Sequence, residues 1–163
     1  MRFAMIFVAV GTQKFPMNRL LAEIDRLVAE GFLTEPVFAQ TGCSDYVPEH
    51  LESEPFLSKE TFEEKLDACD LLITHSGVAT IMGAVKRRKP VIVMPRQARY
   101  GEHVDDHQMQ IAEDFSDKNL TLLALEADEL RERIEQARCH QFAAYTSHGT
   151  EMVETIRMFI DSV

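Results

Sequence analysis

The chain has 163 residues, 45% hydrophobic and 27% charged, with a formal net charge of -10. That length and balance suit one globular domain with a full core. The acidic excess argues against a nucleic-acid binder, because no chain-wide basic field is available to gather phosphates. The three cysteines, Cys43, Cys69 and Cys139, form no C-x-x-C pair. They point to reduced thiols in a cytoplasmic protein rather than to a disulfide framework or a zinc site.

Residues 3–10 are apolar with aromatic and β-branched members, a first strand too short for a signal peptide or a membrane span. The run stops at Gly11-Thr12-Gln13, the entry of a strand–helix unit. Pro16 sits at the expected first turn of a helix whose Leu20, Leu21, Ile24, Leu27 and Val28 recur at spacings of three and four; Gly31 closes it. Residues 36–40 read as a second strand, ending in Thr41-Gly42-Cys43-Ser44. Residues 45–55 carry two prolines and read as loop, and Phe56-Leu57 as a brief third strand. Ser58 is placed to cap a helix over 60–68, with acidic residues in its first turn.

Residues 71–74 and 91–94 are short continuous apolar runs, the pattern of parallel strands buried on both faces. A helix over about 78–87 separates them. It ends in Lys86-Arg87-Arg88-Lys89, a basic run that suits a helix C-terminus and equally a membrane surface or an acidic partner. Residues 104–115 read as a helix, 120–125 as the last strand and 126–137 as a charged helix. Thr150 would cap a terminal helix over 151–160 with an apolar stripe. Strands alternating with helices along the whole chain, without a linker, give an α/β doubly wound parallel sheet of about six strands.

In such sheets ligands bind beyond the carboxyl ends of the strands. Two polar turns follow the paired apolar runs: His75-Ser76-Gly77, and the stretch from Pro95-Arg96 to Gly101-Glu102-His103-Val104-Asp105-Asp106-His107-Gln108. The first leads into a helix whose opening N–H groups carry partial positive charge, a ready phosphate site. Gly77 would admit close backbone approach, and Ser76 and Thr80 could donate hydroxyls; the plainer reading makes Ser76 an N-cap. No G-x-x-x-x-G-K-[ST] loop and no G-x-G-x-x-G fingerprint occurs. His103 and His107, four apart, would share a helix face and with Glu102 or Asp106 could ligate zinc or manganese. The alternatives there are a solvated first turn and contact with a ligand.

The order of these motifs resembles the C-terminal, nucleotide-sugar-binding half of glycosyltransferase family 28. Gly11-Thr12-Gln13, the Thr74-His75-Ser76-Gly77 turn and the Gly101-Glu102-His103-x-Asp105-Asp106-His107-Gln108 run carry it. The resemblance is strongest to small soluble subunits of two-component bacterial exopolysaccharide and capsule glycosyltransferases. It extends to the catalytic subunit of the dolichol-linked N-acetylglucosaminyltransferase and to the single-chain peptidoglycan transferase. It implies a Rossmann-like fold that is one half of a GT-B enzyme, a UDP-sugar donor, and no metal or other cofactor. It also implies a membrane-anchored partner subunit that binds a lipid-linked acceptor and recruits the chain to the inner face of the membrane.

By resemblance, Ser76, Gly77 and Val78 would hold the diphosphate and Thr80 would reach phosphate or sugar. Gln108, one helical turn beyond Asp105, would bind sugar hydroxyls, with Arg96, Glu102, His103 and His107 near it. Gly11, Thr12 and Gln13 would face the partner. His75 and His103 are the in-chain candidates for a general base, which the resemblance otherwise places on the partner. Relatives carry a ribose-binding glutamate where this chain has Gly83, which would leave the ribose to backbone or to Glu102. Other readings of the same residues are a UDP-sugar-binding module without transfer, and a metal-dependent hydrolase using His103, Asp106 and His107.

Overall fold

The structure, a computed structural model, describes residues 3–145. Six strands form one parallel sheet in the order β3-β2-β1-β4-β5-β6. They are β1 (Ile6–Ala9), β2 (Val37–Gln40), β3 (Glu52–Glu54), β4 (Leu71–Thr74), β5 (Val91–Val93) and β6 (Leu122–Leu123). The helices are α1 (Asn18–Ala29), α2 (Lys59–Ala68), α3 (Val78–Lys86), α4 (His107–Asp117) and α5 (Leu130–Ala137).

The core has two layers, one on each side of the sheet. Because strand side chains alternate, Ile6, Val8, Val37, Ala39, Leu71 and Ile73 meet Leu20, Leu21, Ile24 and Leu27 of α1 and Leu130 and Ile134 of α5. Phe7, Ala9, Phe38, Leu72, Val91 and Val93 meet Leu66 of α2, Ile81, Ala84 and Val85 of α3, and Ile111, Ala112 and Phe115 of α4. This is why β1, β2, β4 and β5 are buried at every position and read as unbroken apolar runs.

Several boundaries differ from the sequence pattern. The third strand is Glu52–Glu54, not residues 56–57. It is an edge strand made only by backbone pairing to β2, Phe38 opposite Glu52 and Gln40 opposite Glu54, and its side chains carry no apolar signal. Helix α1 starts at Asn18, two residues beyond Pro16. The last strand is shortened to Leu122–Leu123. Helix α4 starts at His107 rather than at residue 104, because Asp105 and Asp106 turn back on the chain: Asp105 Oδ1 accepts the His107 N–H at 3.1 Å and Asp106 Oδ1 accepts the Ala98 N–H at 2.9 Å. The Ser58 cap of α2 forms, its Oγ accepting from the Thr61 N–H at 3.1 Å. The expected helix over 151–160 lies outside the described residues.

Gly83 has a packing explanation. A β-carbon there would stand 3.1 Å from Leu66 Cδ2, so the glycine lets α3 close on α2. Among the described residues, no helix is long and apolar enough to cross a membrane.

Candidate functional site

Connections run from β1 outward to β2 and β3 on one side, and from β4 to β5 and β6 on the other. The sheet therefore reverses direction between β1 and β4, which pair directly, Ala9 opposite Thr74. A crevice opens where the loops leave such a point on opposite faces. The Thr74 hydroxyl fastens it, donating to the Ala9 carbonyl at 2.6 Å.

The turn after β1 is held by a residue that sequence reasoning passed over. Gln40, buried at the end of β2, accepts the Gly11 N–H at 3.0 Å and donates to the Gly11 carbonyl at 2.9 Å and to the Pro55 carbonyl at 2.8 Å. It thus ties together the turns after β1, β2 and β3. Gly11 has φ +83°, open to glycine at little cost. A β-carbon on it would lie 2.5 Å from His75 Nε2. One on Gly77 would lie 2.8 Å from the same ring, so the imidazole fills the gap between the two glycines. Thr12 and Gln13 beyond the turn are exposed.

The turn after β4 opens α3. Gly77, not Ser76, is the N-cap residue, and no side chain caps the helix among the described residues. The first helical bond runs from the Ile81 N–H to the Gly77 carbonyl, leaving the N–H groups of Val78, Ala79 and Thr80 without a helical acceptor. Ser76 is buried, and its Oγ has no hydrogen-bond partner among the described residues. A buried, unpaired hydroxyl costs folding free energy. The plain N-cap reading of Ser76 therefore fails. Val78 and Thr80 are half-buried on the first turn.

The turn after β5 is built on Arg96, a fully buried side chain. Its Nη1 donates to the carbonyls of Phe15 at 2.8 Å and Glu102 at 3.1 Å, and its Nη2 to the Val10 carbonyl. Burial pulls its pKa down against the upward pull of Glu102; a guanidinium stays charged all the same. Nη1 also lies 3.5 Å from the Pro16 carbonyl, while Nε has no partner among the described residues. Arg96 thus braces the walls of the crevice from beneath. Glu102 is also engaged: Arg19 of α1 grips its carboxylate at 2.9 and 3.1 Å, and the Gln97 N–H adds a bond at 3.1 Å. Only 3% exposed, this carboxylate is turned to Arg19 rather than offered to a ribose. Arg19 further donates to the carbonyls of Pro95 and Leu125. Its only sequence signal was a cation beside the apolar stripe of α1.

The structure brings His75 and Gln108 together. Gln108 Oε1 accepts the Arg96 backbone N–H at 3.1 Å and lies 3.4 Å from His75 Nδ1. Burial first, then the Arg96 charge, push the His75 pKa down to about 3, so the ring is neutral. A base that weak takes up no second proton near neutral pH. His103 stands apart, its ring beside Phe15 and its Nδ1 3.1 Å from Asp105 Oδ1. The backbone N–H of His107 first, and opposing burial second, leave Asp105 with a lowered pKa. His107 is exposed. Because α4 begins at His107, His103 and His107 do not share a helix face, which removes the geometric basis of the metal reading. No group of three His, Cys, Asp or Glu side chains among the described residues could hold a metal ion.

A parallel sheet of this order, with an uncapped helix at its switch point, defines the chain as one Rossmann-like half of a GT-B fold. Residues 5–156 match the glycosyltransferase family 28 C-terminal domain, and the chain belongs to that family. Mouse (Mus musculus) UDP-N-acetylglucosamine transferase subunit ALG13 is 26% identical over 113 residues, which is 65% of this chain and 9% of that protein. The chain thus spans under a tenth of that relative's length. The solution structure of ALG13 superposes with a TM-score of 0.60 at 16% identity, covering 95% of this chain and 94% of that one. MurG of Acinetobacter baumannii gives a TM-score of 0.53 at 16% identity, covering 93% of this chain and 50% of its own.

Proposed function

We propose that this chain is the UDP-sugar-binding, catalytic subunit of a two-component glycosyltransferase. It transfers a hexose or hexuronic acid to a lipid-linked acceptor in exopolysaccharide biosynthesis. The observation that carries the reading is the start of α3 at the sheet's switch point, without a side-chain cap and with the buried Ser76 hydroxyl beside it lacking a partner among the described residues. A diphosphate supplies what both lack, acceptor oxygens and negative charge. Family membership supports the same chemistry, and the mouse relative is named as a subunit of a UDP-N-acetylglucosamine transferase.

On this reading the N–H groups of Val78, Ala79 and Thr80 and the Ser76 hydroxyl stabilise negative charge developing on the leaving UDP. Gln108 meets the sugar, and Thr12 and Gln13 face the partner. The acceptor hydroxyl needs a general base. His75 is too weak a base for that task, which leaves His103 and a membrane-anchored partner that also brings the acceptor as its sources. The chain then works in the cytoplasm at the inner face of the membrane.

Calorimetry with UDP, with and without EDTA, tests the donor site. UDP binds equally in both conditions; failure to bind overturns the proposal, and strict dependence on a divalent ion favours the hydrolase reading. Transfer by the purified chain alone, without a membrane partner, would overturn the two-component part.

A further inference from the structure

We infer that His75 is a positioning residue that locks the Gln108 amide, so that Gln108 offers the donor sugar an N–H donor and never an acceptor. The inference rests on the donor-site reading above and adds a rule for what that site accepts.

One group beside Gln108 has a fixed polarity. The backbone N–H of Arg96 is a donor, and it stands 3.1 Å from one end of the Gln108 amide. That end is therefore the carbonyl oxygen, and the other is the NH₂ group. His75 Nδ1 faces the same oxygen at 3.4 Å. Two donors meet there only if the imidazole carries its proton on Nδ1, which leaves Nε2 as a bare acceptor beside Gly11 and Gly77. Burial and the charge of Arg96 keep the ring neutral, consistent with that single proton.

The consequence falls on the far end of the amide. Gln108 is only 6% exposed, and its Nε2 makes no hydrogen bond among the described residues. With Oε1 fully engaged, the side chain cannot turn over to offer an acceptor without stranding the Arg96 N–H and the His75 Nδ1–H. The group opposite must therefore accept: a hydroxyl oxygen, an amide carbonyl or a carboxylate. Position 75 thereby acts on sugar recognition through position 108, without touching the sugar.

The test compares the full-length chain with His75→Asn, whose side-chain amide can keep a donor near the Nδ1 position, and His75→Leu, which cannot. Affinities for UDP and for a panel of UDP-glucose, UDP-N-acetylglucosamine and UDP-glucuronate are measured by calorimetry. The ratio of UDP-sugar to UDP affinity falls roughly three- to ten-fold in His75→Leu, the worth of one hydrogen bond, and His75→Asn recovers it. Equal ratios in all three proteins, or equal losses in both variants, overturn the inference. Absence of UDP binding by the parent instead overturns the donor-site reading, so the two failures are distinct. If His75→Leu does not fold, nitrogen NMR of the parent decides. A His75 ring protonated on Nδ1 at neutral pH supports the inference, and one protonated on Nε2 overturns it.

Discussion

A buried neutral imidazole leaves a mark on stability that needs no ligand to detect. The His75 pKa is pushed down to about 3 in the folded chain by burial and by Arg96. In the unfolded chain it returns to about 6.5. Between those values the unfolded state binds a proton that the folded state refuses. Stability is then complete above about pH 6.5 and falls as the pH drops through that window. At pH 5 the deficit is about 2 kcal/mol, from about 1.36 kcal/mol per unit over about 1.5 units. Asp25 and Glu35, whose pKa values are lowered in the fold, add their own losses only below about pH 4.5. Urea unfolding of the parent and of His75→Asn at pH 7 and pH 5 isolates the effect. The parent should lose about 2 kcal/mol more than the variant over that interval. Matching pH dependence in the two proteins would refute the picture of a sealed, neutral His75.

Ser76→Ala should leave urea stability unchanged or raise it slightly, since the hydroxyl it removes is buried without a partner among the described residues, yet weaken UDP binding by roughly three- to ten-fold. Unaltered UDP affinity would remove Ser76 from the site. Arg19→Ala should cost about 3 kcal/mol in the same unfolding assay, because it leaves the 3%-exposed Glu102 carboxylate without its cation; a loss below about 1 kcal/mol would contradict that structural role. Gly11→Ala should strain a residue at φ +83° and drive a methyl into the His75 ring. It should lower both stability and UDP affinity, and unaltered calorimetry would count against the Gly11–His75–Gly77 sandwich.

What could be read from the sequence follows the physics of each element. Strands buried on both faces announce themselves as apolar runs, so β1, β2, β4 and β5 were visible, and with them the doubly wound class. Strand β3 was not, because Glu52-Ser53-Glu54 owes its conformation to backbone pairing with β2 rather than to its own side chains. The start of α4 was misplaced by three residues because Asp105 and Asp106 bond to backbone N–H groups, the competition with helix that short acidic side chains offer. At the site, the turns after β1, β4 and β5 were legible from glycines and strand-end position. The bracing was not. Gln40 looks like the polar end of a strand, and the bonds of Arg96 to Val10 and Phe15 and of Glu102 to Arg19 each span more than 80 residues of chain. Charge and spacing identify such residues as polar and near the crevice; only the fold reveals that their hydrogen bonds are spent on the crevice walls.

On the proposed reading, a nucleoside diphosphate sits on the open start of α3. Amide NMR of the full chain titrated with UDP tests it directly. The largest shifts should fall on the N–H groups of Gly77, Val78, Ala79 and Thr80, with smaller ones at Gly11 and Gln108. A cavity of about 330 Å³, lined by Arg88, Lys89 and His140 near the amino ends of β5 and β6, offers the competing basic surface. Shifts gathered there, with the start of α3 silent, would contradict the account.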